Sequence, residues 1–84
     1  MKMSYDRVRD SQTIIGTKQA VKAMRDGSVK ELFVALDADN WVTDLAITFA
    51  REIGVPVILV ESKRELGKAC GIHVGAAVVA IAVE

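Results

Sequence analysis

The stretch ELFVALDADNWVTDLAITFAREIGVPVILV, residues 31–60, decides the fold. Its two ends, Glu31–Leu36 (ELFVAL) and Val55–Val60 (VPVILV), are short apolar runs without polar alternation, the pattern of strands buried on both faces. Pro56 stands at the start of the second run, where a missing N–H is tolerated. Between them Val42, Leu45, Ala46, Phe49, Ala50 and Ile53 fall at i, i+3, i+4, i+7, i+8 and i+11, which predicts a helix with that stripe against the core. Asp39 or Asn40 caps its start and Gly54 ends it. Trp41, beside the cap, is expected to be partly buried as a lid on the core rather than an exposed anchor.

Working outward, the alternation continues. Ser4–Ser11 reads as a short polar helix and Thr13–Ile15 as a short β-branched strand. Gly16-Thr17 opens a helix whose apolar side is Ala20, Val21, Ala23 and Met24, closed by Asp26-Gly27. Ser62-Lys63-Arg64-Glu65 matches a capping box, so a further short helix runs to Cys70 and stops at Gly71. Ala76–Val83 (AAVVAIAV) is the last strand. Apolar strands separated by amphipathic helices require a sheet covered on both faces, hence an α/β fold built as a three-layer α/β/α sandwich. At 84 residues the chain holds one domain, residues 1–84.

Composition excludes several classes. The apolar fraction of 51% with a single proline excludes a disordered tail. The longest uncharged runs, Val55–Val60 and Gly71–Val83, are too short or too broken by glycine to span a bilayer. Met1–Asp10 is charged throughout and lacks the apolar core of a signal peptide, so a cytoplasmic protein is expected. Cys70 is the only cysteine, which leaves no intrachain disulfide and no cysteine-built zinc site; small buried packing is its expected role. His73 is the only histidine and has no partner for acid–base work. Asp37 and Asp39 lie at a strand's C-terminal end, where α/β folds often place ligands, but the expected roles are shaping the turn for Asp37 and capping the helix for Asp39. Gly16-Thr17-Lys18 approaches a phosphate loop and fails it, with Ser11 in place of the first glycine and Thr17 in place of the lysine. Neither an enzyme, a metal site nor a cofactor is expected.

The net charge is zero, yet its distribution is uneven. Residues 16–30 and 62–75 carry seven cations against two anions, and the rest carries four against nine. If the two basic segments meet, the molecule has a cationic face that steers anions whatever the whole-chain sum. In the first segment Lys18, Lys22 and Arg25 fall at i, i+4 and i+7, along one helix face. Gly16 bares backbone amides at the helix start, where phosphate is attracted, and Gln19 offers an amide to a base edge. The same spacing also fits an ordinary solvated helix face. In the second segment Gly71 and Gly75 bracket Ile72, His73 and Val74. Ile72 and Val74 either begin the buried face of the last strand or form an apolar shelf for an extruded base.

Together the two segments resemble the L-seven-Ae and L-thirty-e family of ribosomal proteins, which bind RNA kink-turns. That family opens a helix with Gly-x-Asn/Lys-Glu/Gln-x-x-Lys and precedes its last strand with Leu-Gly-x-Ala-x-Gly-Ile/Val. Here these are Gly16-Thr17-Lys18-Gln19-Ala20-Val21-Lys22 and Leu66-Gly67-Lys68-Ala69-Cys70-Gly71-Ile72, and the similarity runs from about Tyr5 to Val83. The Lys-Gln version and the short length are similar to the small bacterial members. The resemblance implies a central mixed four-stranded sheet and a non-enzymatic partner of structured RNA, ribosomal or riboswitch-type, acting as a monomer without DNA or membrane. It also implies that Lys18 and Gln19 contact guanine edges of tandem sheared G·A pairs, Lys22 a guanine or nearby phosphate, and Gly16 and Thr17 the backbone. Lys63, Arg64 and Lys68 would add phosphate contacts, while Ile72, His73 and Val74 face the bulged nucleotides; Arg25, on the helix face of Lys18 and Lys22, is a further RNA-binding candidate by its spacing. An adaptor that uses the acidic helix or Trp41 to bind protein is the alternative on the same fold.

Overall fold

Alternation along the strands divides the core in two. In the structure, a computed structural model that describes Val8 and residues 11–83, the elements are β1 (Thr13–Ile15), α1 (Thr17–Arg25), β2 (Val29–Ala35), α2 (Asn40–Ile53), β3 (Val57–Val60), α3 (Lys63–Ala69) and β4 (Val78–Ala82). The helix expected over Ser4–Ser11 lies outside the described residues except for Val8 and Ser11. Leu32, Val34, Val78 and Ala80 point to one side, where Ala20, Val21 and Met24 of α1 and Ala46 and Ala50 of α2 cover them. Phe33, Ala35, Val60, Val79 and Ile81 point to the other, against Leu66 of α3 and Val8. These are the two interfaces of the expected three-layer sandwich.

The strand order is β1-β4-β2-β3. Parallel pairing of β2 with β3 sets Leu32 opposite Val57 and Ala35 opposite Val60. β4 runs antiparallel to both neighbours, with Val79 opposite Phe33 on one side and Ile15 on the other. The sheet is therefore mixed, and β1, β2 and β3 all run the same way. Each of those three strands is followed by a helix, so α1, α2 and α3 all start at one end of the sheet.

Three expectations are corrected by packing. β3 is an edge strand, not a fully buried one, and Leu59 is 54% exposed. Val55 and Pro56 precede it, although the Pro56 carbonyl still accepts from the Leu32 amide at 2.9 Å. The apolar stripe of α2 is rotated: Thr43, Ala46 and Ala50 are buried, whereas Leu45 and Ile53 are exposed. Two alanines let the helix backbone approach the sheet closely, which turns the larger side chains to the flanks. The buried Thr43 hydroxyl is satisfied by donating to the Asn40 carbonyl at 3.3 Å. Trp41 is 80% exposed, not a lid, because it sits on the side of α2 opposite Ala46 and Ala50.

Candidate functional site

The starts of the two basic helices lie at the same end of the sheet, α1 on one face and α3 on the other. The Gly16 amide donates to the Val78 carbonyl at 2.9 Å, which ties the start of α1 to the start of β4 and so to residues 71–77 that lead into it. Gly16 has φ 106° and ψ 149°, backbone that only glycine adopts readily, and it occupies the N-cap of α1. No side chain caps this helix and its first turn holds no acidic residue. The first-turn amides and the positive end of the helix dipole therefore remain available to an anion. Lys18, Gln19, Lys22 and Arg25 are exposed and Thr17 and Gly16 half-buried, while Ala20, Val21 and Met24 anchor the opposite face.

The second segment is a clip closed on α3. The Ser62 hydroxyl accepts from the Glu65 amide at 3.2 Å, as the capping-box pattern predicts. The Asp37 carboxylate, at the end of β2, accepts from the Lys63 amide at 2.9 Å. Asp37 is thus a structural residue that pins α3 to the sheet; Asp39 is the N-cap of α2 but makes no side-chain cap bond. From α3, the Gly67 carbonyl accepts from the Ile72 amide at 3.1 Å and the Lys63 carbonyl from the Ala76 amide at 2.9 Å. A Cβ on Gly67 would overlap the Val74 carbonyl oxygen and lie 3.2 Å from the Gly75 Cα. The glycine in Leu66-Gly67 is there to let the loop lie directly on the helix.

This clip settles where the loop side chains go. Ile72 and Val74 do not begin the last strand, which starts at Val78. Ile72 is half-buried against the second core cluster, and Val74 is 70% exposed. With exposed His73 they line a hollow of about 270 Å³ together with Arg64, Glu65 and Lys68. Glu65 was legible only as a capping-box partner; its place on this hollow follows from the helix lying against the loop. Cys70 packs half-buried beside the second cluster, and burial pushes its thiol up, partly offset by a bond with the Thr13 side chain. Among the described residues no group of three or more His, Cys, Asp or Glu is placed to hold a metal, and no helix is long and apolar enough to cross a membrane.

The chain is similar to several known proteins. An RNA-binding protein from Bacillus pumilus (strain SAFR-032) is 56% identical over 80 residues, covering 94% of this chain and 98% of the relative. A second RNA-binding protein, from Geobacillus sp. (strain WCH70), is 49% identical over the same coverage. Among solved structures, the Giardia lamblia 15.5kD RNA binding protein superposes with a TM-score of 0.84 at 24% identity, covering 95% of this chain and 68% of that one. At that identity the likeness shows the fold alone. A protein of unknown function from Bacillus halodurans C superposes at 0.78 with 27% identity, covering 92% and 75%. The family model described as ribosomal protein L7Ae/L30e/S12e/Gadd45 matches residues 4–84, and the chain belongs to that family.

Proposed function

We propose that this chain is a non-enzymatic RNA-binding protein that recognises kink-turns and holds them bent, acting as a cytoplasmic monomer on ribosomal or riboswitch-type RNA. The observation that carries this reading is the joining of an uncapped, cationic helix start to an apolar-tipped loop at one end of the sheet. A kink-turn presents sheared G·A pairs in an opened groove next to a bulge. The ordinary A-form major groove is too narrow for side chains, so an opened one is itself a basis for selection. Lys18 and Gln19 reach the guanine edges, lysine donating to O6 and N7. Lys22 contacts a guanine or adjacent phosphate, and Gly16 and Thr17 lie against the backbone at the helix start. Arg25, Lys63, Arg64 and Lys68 neutralise phosphates, while Ile72, His73 and Val74 receive the bulged nucleotides. Because the protein fits only the bent RNA, binding shifts the RNA population toward it.

The test is a titration of a kink-turn duplex, and of the same duplex with both G·A pairs made Watson–Crick, at one fixed salt concentration. Strong preference for the kink-turn is expected. Lys18→Ala and Lys22→Ala should each weaken binding about tenfold or more, the loss of a charge-assisted contact, with unchanged thermal unfolding because both side chains are exposed. Equal affinity for the two duplexes, or wild-type affinity in both variants, refutes the reading.

A further inference from the structure

The outward face of α2 carries an apolar pair that no described part of the chain covers. Trp41 is 80% exposed and Leu45 63% exposed, one helical turn apart. The stripe continues through exposed Thr48 and Glu52. Around the pair stand the exposed carboxylates of Asp39 and Asp44, and over residues 37–53 Arg51 is the only cation against Asp37, Asp39, Asp44 and Glu52.

That surround decides between occupants. RNA phosphates would be repelled by the carboxylates, and a second copy of the same stripe would set carboxylates against carboxylates. A cationic partner with an apolar component is complementary. An arginine matches best: its guanidinium stacks on an indole face, its fork pairs with the Asp44 carboxylate, and its aliphatic stem lies along Leu45. We infer that this stripe is a docking site for an arginine-bearing basic segment of another protein. The inference goes beyond RNA recognition and does not depend on it, since it concerns α2 rather than α1 and the loop at residues 71–75.

Trp41 is the only tryptophan in the chain, so its emission reports this site alone. The experiment titrates the whole protein, without RNA, with a peptide of repeated Arg-Leu-Arg-Ser, and with versions carrying Lys for Arg or Ser for Leu. The first peptide should bind saturably, shift the Trp41 emission and perturb the amide resonances of residues 39–52. Each replacement peptide should bind at least about tenfold more weakly. By calorimetry, Trp41→Ala and Asp44→Asn should each lose about tenfold, with the fold intact because both residues are exposed, and Trp41→Ala should keep the wild-type affinity for kink-turn RNA. Absence of saturable binding by the first peptide overturns the inference, as do four further results. They are equal binding of the Arg and Lys peptides, resonance shifts spread over other acidic residues, self-association that Trp41→Ala abolishes, and loss of RNA affinity in Trp41→Ala. Failure of the kink-turn titration leaves the peptide result unaffected.

Discussion

Replacing Gly67 by alanine separates two opposed effects by their sign. Gly67 lies inside α3, and in an unencumbered helix alanine is favoured over glycine by about 1 kcal/mol. In this structure the added methyl would overlap the Val74 carbonyl and press on the Gly75 Cα at 3.2 Å, both of them backbone that no rotamer change can move aside. The loop is further held by the Ile72 amide to Gly67 and by the Ala76 amide to Lys63. Relief therefore requires parting α3 from the loop and straining those bonds, an overpacking cost of roughly 1–3 kcal/mol that exceeds the helix gain. A chain of this length is stable by only about 4–13 kcal/mol. The net loss of about 1 kcal/mol lowers the urea midpoint by roughly 0.7–1 M at an m-value of about 1–1.5 kcal/mol/M. Circular dichroism is the proper probe, since the exposed Trp41 changes environment little on unfolding. A Gly67→Ala protein with an equal or higher midpoint at unchanged m would refute the close loop–helix contact and the loop placement built on it.

Two leucines test the packing of the helices. Leu66→Ala empties a site that is fully buried in the second cluster and should cost about 2–5 kcal/mol in urea unfolding. Leu45→Ala, on the exposed face of α2, should stay within about 0.5 kcal/mol of wild type; the reverse order would mean that α2 is rotated as its apolar spacing first suggests. Cys70 tests burial through its chemistry: the raised thiol is less ionised, so at pH 8 an uncharged alkylating agent should react several-fold more slowly with the native protein than with urea-unfolded protein. The sign for stability follows from tighter proton binding in the folded state. This contribution is complete below the thiol's ordinary value and fades as pH rises through the raised one. Equal alkylation rates in the two states would contradict it.

What the sequence disclosed and what it withheld have different physical origins. Strand and helix positions follow from local periodicity and from glycines such as Gly54 and Gly71, both with positive φ, so they were legible to within a few residues. The site motifs were legible because each is a local run: Lys18, Lys22 and Arg25 share a helix face by spacing alone, and their exposure follows from the buried face opposite. Strand order was not legible. Nothing in VPVILV distinguishes an edge from a centre, and β3 became an edge only because β4 pairs between β1 and β2. The facing of α2 was hidden for a similar reason, since hydrophobicity ranks Leu45 above Ala46, whereas close approach to the sheet favours the smaller side chain. Asp37 acts across 26 residues, on the Lys63 amide, and no local spacing announces such a bond.

The three helices that start at one end of the sheet treat their first amides in three ways, and this explains how a chain of zero net charge can present an anion site. In α3 the Asp37 carboxylate takes the Lys63 amide and the Ser62 hydroxyl takes the Glu65 amide, so its start is already satisfied from within. At α2 no side chain makes a cap bond, but Asp37 and Asp39 precede the helix, and their negative charge opposes an incoming phosphate. Only α1 begins at a glycine, with no acidic residue in its first turn and with Lys18 and Lys22 exposed on the first two turns. Dipole, bare amides and side-chain charge therefore add at α1, whereas at α3 amides are already taken and at α2 the preceding carboxylates oppose the dipole. Four of the acidic residues that bring the total to zero, Asp37, Asp39, Asp44 and Glu52, stand before α2 or along it, away from the start of α1.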